Sequence, residues 1–369
     1  MGFQFQSVGA VSPLLMSHLR ITNADLGLLI GLFSLPGVVL ALPGGLLGER
    51  FGDRRLVVLS LVLMTFGSAL IGATDTFSIA AVGRSLTAIG AVMFNVLATK
   101  MVADWFAGRE IIWAMAVFIN AWPIGIGMAL FILPLVASLW GLAVAFYVAA
   151  VLAAAGAVAI TMLYPGGISS HSRIETLALA ALSRREIALV TLAAVPWMLF
   201  NVGYALMLGF VPTLLASSGY SVEQAGAVLG IGVVLSIVSV QVGGAMAQWV
   251  ARPYAIVALG LLGYSAALSV LPYVPPVPTL IVVGVVSGLP AASLVSAPAG
   301  VLRAESRAAG MGLFYTWYYA GMALLPAAAG WLQDVAGGTA AVHFAAVTIL
   351  LAVPSFLVFR AAAAEARHI

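Results

Sequence analysis

Arg84 is the clearest candidate for chemistry, because it lies inside a long apolar run at 77–99. At helical spacing it shares a face with Ala88, Ala91 and Asn95. An ionisable group within a membrane span is a functional candidate by default, and a guanidinium is suited to a carboxylate or another anion. The alternative is a structural arginine that binds nearby carbonyl or polar groups. The sequence leaves both interpretations open.

The other apolar runs contain no deep Asp or Glu, which argues against a carboxylate proton relay. His343, in the run 339–360, is the only deep titratable alternative. It is therefore a candidate for proton coupling, against the alternative of a packed membrane histidine.

Amides and aromatic hydroxyls form further polar faces. On one helix Trp197, Asn201 and Tyr204 recur at i, i+4 and i+7, and similar faces occur elsewhere. Such faces either hold helices together or line a solute cavity. An arginine among amides and aromatic rings is suited to a small organic anion. The predicted solute-binding set is Arg84, Asn95, Gln4, Asn120, Asn201, Tyr204, Tyr315, Tyr318 and Tyr319.

The sequence contains no pattern typical of an enzyme. Cysteine is absent, which excludes disulfides, Cys metal sites and thiol catalysis. The H-E-x-x-H, G-x-S-x-G and P-loop patterns are also absent. The basic residues form no stripe of the kind that binds nucleic acid. We expect a chain that is not an enzyme, with no cofactor or metal, acting as a monomer whose partners are a small-molecule solute and the lipid bilayer.

The elements that position these residues are membrane-spanning helices. Of the 369 residues, 63% are hydrophobic and 7% are charged, whereas a soluble domain has about 25% charged residues. Uncharged apolar runs of about 18 residues or more are typical of helices that cross a bilayer. The chain divides into twelve predicted spans, at 1–17, 25–47, 56–73, 77–99, 111–136, 140–163, 187–216, 223–247, 253–273, 278–300, 308–332 and 339–360.

Alternate loops carry very different charge. Thirteen of the fifteen Lys and Arg residues lie in one set of loops and the C-terminal tail. The positive-inside rule predicts that this set, with the C-terminus, is cytoplasmic in a multi-pass protein of the plasma or inner membrane. The loop 164–186 is the longest and least apolar of the set. We interpret it as a cytoplasmic linker between an N-terminal six-helix bundle, 1–163, and a C-terminal bundle with a short tail, 187–369.

The two halves resemble each other at an offset of 199 residues. Pro13 then aligns with Pro212, and Gly27 aligns with Gly226. Thr22-x-x-Asp25 falls on Ser221-x-x-Gln224, and both are typical of a capped helix start. The offset predicts two parallel six-helix halves with a solute site between them at mid-membrane.

The loop after the second predicted span reads GLLGERFGDRR from Gly45 to Arg55. This resembles the signature loop of the major facilitator superfamily, G-x-L-a-D-R-x-G-R-R, although Glu49 replaces the family's Asp and Asp53 replaces a basic residue. Arg84 with Gly90 is similar to a second motif of that family. The residues that match the signature loop are Gly45, Leu47, Arg50, Gly52 and Arg54.

The resemblance implies an all-α polytopic fold of two pseudo-symmetric six-helix bundles. It also implies that Glu49 meets the start of the eleventh span near Arg307 and holds the outward-facing state. The signature-loop residues Gly45, Glu49, Arg50, Gly52 and Arg54 then act with Arg307 in gating. The alternative is that these charges only anchor the topology in water.

The function predicted from these features is a secondary active or facilitative transporter of a small organic solute, an organic anion, that works by alternating access. A multidrug or metabolite exporter of the same superfamily is the alternative. A non-transporting membrane sensor on the same scaffold is a further one.

The first predicted span is short. It has about 17 residues where its repeat partner has about 30, and it reaches about 26 Å at about 1.5 Å per residue. We expect a mis-assigned start or a chain trimmed at its N-terminus, against the alternative of a tolerated short helix.

Overall fold

The structure is a computed structural model, and it describes residues 1–40, 51–106, 111–164, 182–249, 253–303 and 306–365. Within these ranges every regular element is a helix. The predicted spans keep their numbers below. The first six contain the helices Gly2–Ala10 and Ser12–Leu19 (span 1), Asn23–Leu32 and Leu35–Leu40 (span 2), Asp53–Gly72 (span 3), Phe77–Trp105 (span 4), Ile111–Trp140 (span 5) and Leu142–Leu163 (span 6).

The second half repeats this series with longer helices. Short 3-10 turns follow spans 9 and 10 at Leu271–Tyr273 and Ala297–Gly300. The α-helices are Arg184–Ser217 (span 7), Val222–Trp249 (span 8), Pro253–Val270 (span 9), Pro276–Ser287 with Ala291–Ser296 (span 10), Arg307–Ala336 (span 11) and Ala340–Glu365 (span 12).

The predicted all-α membrane fold of two six-helix bundles is confirmed. Ten helices of the described chain are long and apolar enough to cross a membrane, and they correspond to spans 2–10 and 12. Span 1 is divided at Val11 into two short helices. Span 11 is 30 residues long, but its three Tyr residues and two Trp residues make it less apolar.

Side-chain caps fix where the helices begin. The Thr22 hydroxyl accepts a hydrogen bond from the Asp25 amide, and the Asp25 carboxylate accepts one from the Thr22 amide at 3.1 Å. Ser221 and Gln224 exchange equivalent bonds of 3.0 and 3.2 Å. Both predicted caps are thus confirmed. Span 7 begins at Arg184, three residues earlier than predicted, because Ser183 forms a capping box that the sequence analysis missed.

Each bundle packs mainly within itself, and in the described part of the chain three pairs of spans make most of the contacts between the bundles. Span 2 packs on span 11, span 5 on span 8, and span 1 on span 7. The predicted linker 164–186 lies largely outside the described residues, so the domain boundaries stay a prediction. We call the membrane face at the ends of the even-numbered spans the basic face, since its loops carry thirteen of the fifteen Lys and Arg residues. The other face is the opposite face.

The two bundles meet most closely near the opposite face. A Cβ atom on Gly27 would lie 2.0 Å from the Pro326 carbonyl oxygen, and one on Gly226 would lie 2.3 Å from the Leu130 carbonyl oxygen. Glycine allows helices to approach until their backbones touch. Gly27 and Gly226 are equivalent in the predicted repeat, so each half supplies one glycine to the same kind of contact.

Candidate solute cavity

Two adjoining cavities lie between the bundles at mid-membrane. The larger has a volume of about 460 Å³ and the smaller about 280 Å³. Both are lined by Ile119 and Trp122 of span 5 and by Trp197 and Asn201 of span 7. We call the two together the central cavity. Its walls come from both bundles, as the predicted repeat requires.

The central cavity extends from mid-membrane toward the basic face. Asn95 and Thr99 come from the second half of span 4, and Met115 comes from the first half of span 5. These parts of both helices lie nearer the basic face. The glycine contacts between the bundles lie on the other side of the cavity, so the opposite face is closed. If the basic face is cytoplasmic, as predicted, this is an inward-facing arrangement.

Aromatic rings form most of one wall. Trp197 stacks with Phe200 and Phe314 at centroid distances of 5.9 and 6.4 Å, and with Tyr318 at 6.3 Å. Tyr318 in turn meets Tyr319 edge-on at 4.9 Å. Rings held by this many neighbours have little rotational freedom. The wall therefore presents a preformed surface on which a flat solute can stack.

Polar groups are interspersed among the rings. The Asn201 amide nitrogen donates to the Trp197 carbonyl oxygen at 2.8 Å, which fixes the orientation of that side chain. The Trp197 indole nitrogen is buried, and no hydrogen-bond partner for it lies in the described part of the chain. Asn120 and Gln241 line the smaller cavity. Among the described residues lining the central cavity, none is Asp, Glu, Lys, Arg or His.

Most of the predicted set does lie together. Asn201 lines both parts of the central cavity, and the smaller part contains Asn120 and Tyr204. The larger part contains Asn95, Tyr315, Tyr318 and Tyr319.

The predicted set omitted several lining residues. Trp197 and Trp122 belong to helical faces that the sequence shows, yet a tryptophan in an apolar run is hard to distinguish from a packed one. Gln241, Ser236 and Ser287 carried no signal beyond isolated polarity.

Arg84 occupies a different environment from the one an anion site needs. It is 1% exposed and does not line the central cavity. Its guanidinium donates to the carbonyl oxygens of Gln4, Phe5 and Leu29 at 2.9, 2.9 and 3.0 Å. It also lies 4.5 Å from the centre of the Phe33 ring. These contacts join spans 1, 2 and 4 and favour the structural interpretation that the sequence left open.

Gln4 is likewise used inside the N-terminal bundle. Its amide nitrogen donates to the Ala149 carbonyl oxygen at 2.8 Å, and its amide oxygen accepts from the Ser68 hydroxyl at 2.7 Å. The side chain is 3% exposed and is not part of the central cavity lining. In this structure it joins span 1 to spans 3 and 6.

His343 is the fourth residue of the helix of span 12, which begins at Ala340, so it lies near one end of the span and not at its centre. Its ring contacts the Thr339 carbonyl oxygen at 2.9 Å and the Tyr273 hydroxyl at 3.4 Å. The histidine therefore lies near the opposite face, and its role in proton coupling stays untested.

The signature loop is only partly described. Gly45, Glu49 and Arg50 lie outside the described residues, so the predicted gating contact with Arg307 stays a prediction. Arg307 itself is exposed at the first position of span 11.

The side chains at the described end of the signature loop contact other helices of the N-terminal bundle. Gly52 has a φ of 89°, a left-handed conformation that favours glycine, and it precedes span 3 directly. Arg54 donates to the Thr161 carbonyl oxygen of span 6. Asp53 pairs with Lys100 of span 4 at 2.9 Å. The basic residue that the family has at position 53 could not form this ion pair.

A carboxylate closes the opposite face across the bundle boundary. Asp334, at the end of span 11, accepts hydrogen bonds from the Asn23 amide at 3.0 Å, the Asn23 side chain at 2.8 Å and the Ala24 amide at 2.9 Å. Gln333 adds a bond of 3.1 Å to the Asn23 side chain. The negative charge thus caps the start of span 2, where the helix dipole favours an anion.

Replacing this carboxylate tests the contact. We expect Asp334→Ala to weaken the closed state by about 1 kcal/mol, the usual value of a helix cap, and so to raise amide exchange at 23–30 about fivefold. Hydrogen–deuterium exchange of the purified protein measures this. Asp75→Ala is the control, because Asp75 is 88% exposed and pairs with His18 of the same bundle. Equal exchange in both variants would contradict the capping role.

Comparison with known proteins agrees with the geometry. The model of the family described as Major Facilitator Superfamily matches residues 1–302. The inner membrane transport protein YajR of Escherichia coli is 29% identical over 150 residues, which cover 41% of this chain and 32% of YajR. The quinolone resistance protein NorA of Staphylococcus aureus is 27% identical over 103 residues, which cover 27% of this chain and 26% of NorA. The matches thus span about a third or less of these relatives.

Two solved structures share the fold over nearly their whole length. The nucleoside transporter NupG superposes with a TM-score of 0.73 at 14% identity, over 98% of this chain and 96% of that one. A bacterial homologue of the human lysosomal transporter Spinster, in an inward-facing and occupied conformation, gives 0.72 at 15% identity, over 100% and 94%. At these identities the likeness concerns the fold alone.

Proposed function

The chain belongs to the major facilitator superfamily, and from that membership we propose that it carries a small, uncharged aromatic solute across the membrane by alternating access around the central cavity. The observation that carries this proposal is the cavity lining. It combines stacked rings with amides and hydroxyls, and it contains no acidic or basic side chain among the described residues. Such a lining binds a flat ring system without paying for the desolvation of a charge.

This proposal replaces the organic anion with a neutral solute. The anion was inferred from Arg84, whose donors here bind backbone carbonyl groups. An anion in the central cavity would lose its hydration without gaining a cationic side chain among the described lining residues. Export of a neutral solute, as in the alternative of a multidrug or metabolite exporter, would use the same cavity.

The proposal extends to the whole molecule. The predicted halves 1–163 and 187–369 are the two moving units, and 164–186 is the cytoplasmic linker between them. The C-terminus is cytoplasmic, the protein acts as a monomer in the cell membrane, and neither metal nor cofactor takes part.

A matched pair of solutes tests the proposed selectivity. We expect an aromatic amide to raise the melting temperature of the purified protein, and the carboxylate of the same ring system to do so only at concentrations at least about tenfold higher, because the carboxylate must be desolvated. Asn201→Leu should weaken amide binding about tenfold, since it removes a polar contact from the cavity wall.

Thr213→Val is the matched control on the same helix. The Thr213 hydroxyl bonds to the Phe210 carbonyl oxygen, away from the central cavity. We expect this variant to bind the amide as the original protein does. Preferential binding of the carboxylate, or equal loss in Asn201→Leu and Thr213→Val, would contradict the proposal.

A further inference from the structure

Another cavity opens at the basic face, inside the C-terminal bundle and separate from the central cavity. It has a volume of about 580 Å³ and lies among spans 8, 9, 10 and 12. Its apolar lining includes Val257, Phe356 and Phe359, and the hydroxyls of Ser293 and Ser296 also line it. The Tyr254 ring and the Arg360 guanidinium line it as well. The cavity therefore combines an apolar surface with a cationic group near the basic face.

Arg360 is positioned for a ligand at the membrane surface. It lies near the end of span 12, after a long apolar run, and it is exposed. Its guanidinium carbon lies 4.3 Å from the centre of the Tyr254 ring, which orients the side chain beside the cavity. Tyrosine and arginine together are typical of the level of the lipid headgroups.

A neighbouring cavity contains two further arginines. It has a volume of about 410 Å³ and shares Gly300, Val301 and Ala363 with the first. It adds the side chains of Arg185 and Arg303 and one acid, Glu186, which is paired with Arg303 at 2.9 Å. Arg360 is thus one of three arginines in the described lining of the two cavities.

We propose that this groove, defined by the two adjoining cavities, binds an anionic phospholipid. The phosphate binds at Arg360, for which a guanidinium is well suited, and one acyl chain lies along Phe356 and Phe359. Basic pockets between membrane helices are a known form of lipid headgroup recognition. The groove places a cationic group beside an apolar wall, as the headgroup and acyl chain of a lipid require. A soluble anion would contact the cationic group but not the apolar wall. The inference is independent of the transported solute.

Native mass spectrometry of the full chain in detergent, with phosphatidylglycerol or phosphatidylcholine added, tests the site. We expect phosphatidylglycerol to bind in preference, and Arg360→Gln to weaken its binding about five- to tenfold, as expected for one cationic contact near a membrane surface. Ala363→Trp should weaken it as well, because the ring fills the groove without changing its charge. Glycerol phosphate, which has the headgroup charge without chains, should not compete.

Arg55→Gln is the charge-matched control, since Arg55 is exposed at the basic face of the other bundle. It should bind phosphatidylglycerol unchanged. Equal loss in Arg55→Gln and Arg360→Gln would show diffuse attraction to the basic face and overturn the proposal. So would full binding in Ala363→Trp, equal binding of the two lipids, or effective competition by glycerol phosphate. Circular dichroism of each variant shows that the fold is kept.

Discussion

Gly27→Ala is expected to shift the protein away from the state described here and to slow transport about tenfold. A Cβ atom at this position would lie 2.0 Å from the Pro326 carbonyl oxygen, and neither backbone can move without separating spans 2 and 11. Overpacking of this kind costs about 1–3 kcal/mol. It destabilises only the state in which the opposite face is closed, because only there do spans 2 and 11 touch at this position. Spin labels on the loops at Arg20 and Gly338, read by pulsed electron resonance, should report a longer distance.

Gly127→Ala is the matched control, because it adds the same methyl group to another contact between the bundles. There the nearest atom is Val234 Cγ2, at 3.6 Å, which is an ordinary van der Waals distance. We expect neither the label distance nor transport to change. If Gly27→Ala behaves like Gly127→Ala, closure of the opposite face does not depend on the backbone contact.

Arg84→Met is expected to destabilise the fold by about 3 kcal/mol without removing a solute contact. The substitution leaves carbonyl groups of spans 1 and 2 without their donors in a buried site, and it loosens Phe33, which lines the central cavity. Denaturant unfolding in mixed micelles measures the loss. Arg84→Lys keeps the charge but not the planar guanidinium. Its free energy of unfolding should lie between those of the original protein and of Arg84→Met.

Arg54→Met is the control for this experiment. Arg54 binds a single carbonyl group at the basic face, so its loss should cost less than about 1 kcal/mol. A stable Arg84→Met protein that no longer binds solute would contradict the structural interpretation and would return Arg84 to the solute site.

Much of the fold follows from local sequence. The paired caps at Thr22 and Ser221 show where two spans begin, because each depends on residues three positions apart. The offset of 199 residues relates Gly27 to Gly226, and both make equivalent contacts between bundles. These features could be predicted because they depend on short-range pattern or on comparison of the chain with itself.

The candidate site was predicted less well, because it depends on the direction in which each side chain points. Helical spacing correctly grouped Asn201 with Tyr204, but it could not show whether Arg84 faced the cavity or the bundle interior. Partners far along the chain decided that question. The same is true of Asp334, whose contacts with Asn23 lie about 310 residues away in sequence and left no local signal.

Thiol labelling of two single-cysteine variants tests alternating access around the central cavity most directly. The chain has no cysteine of its own, so each variant carries one reactive group. Asn95→Cys places it in the cavity, and Ile30→Cys places it at the closed contact with span 7 near Gly209. With the protein in detergent micelles, we expect Asn95→Cys to react quickly and Ile30→Cys slowly, and an added Gly27→Ala change to accelerate Ile30→Cys. Fast reaction of Ile30→Cys without that change, or no response to it, would contradict the account.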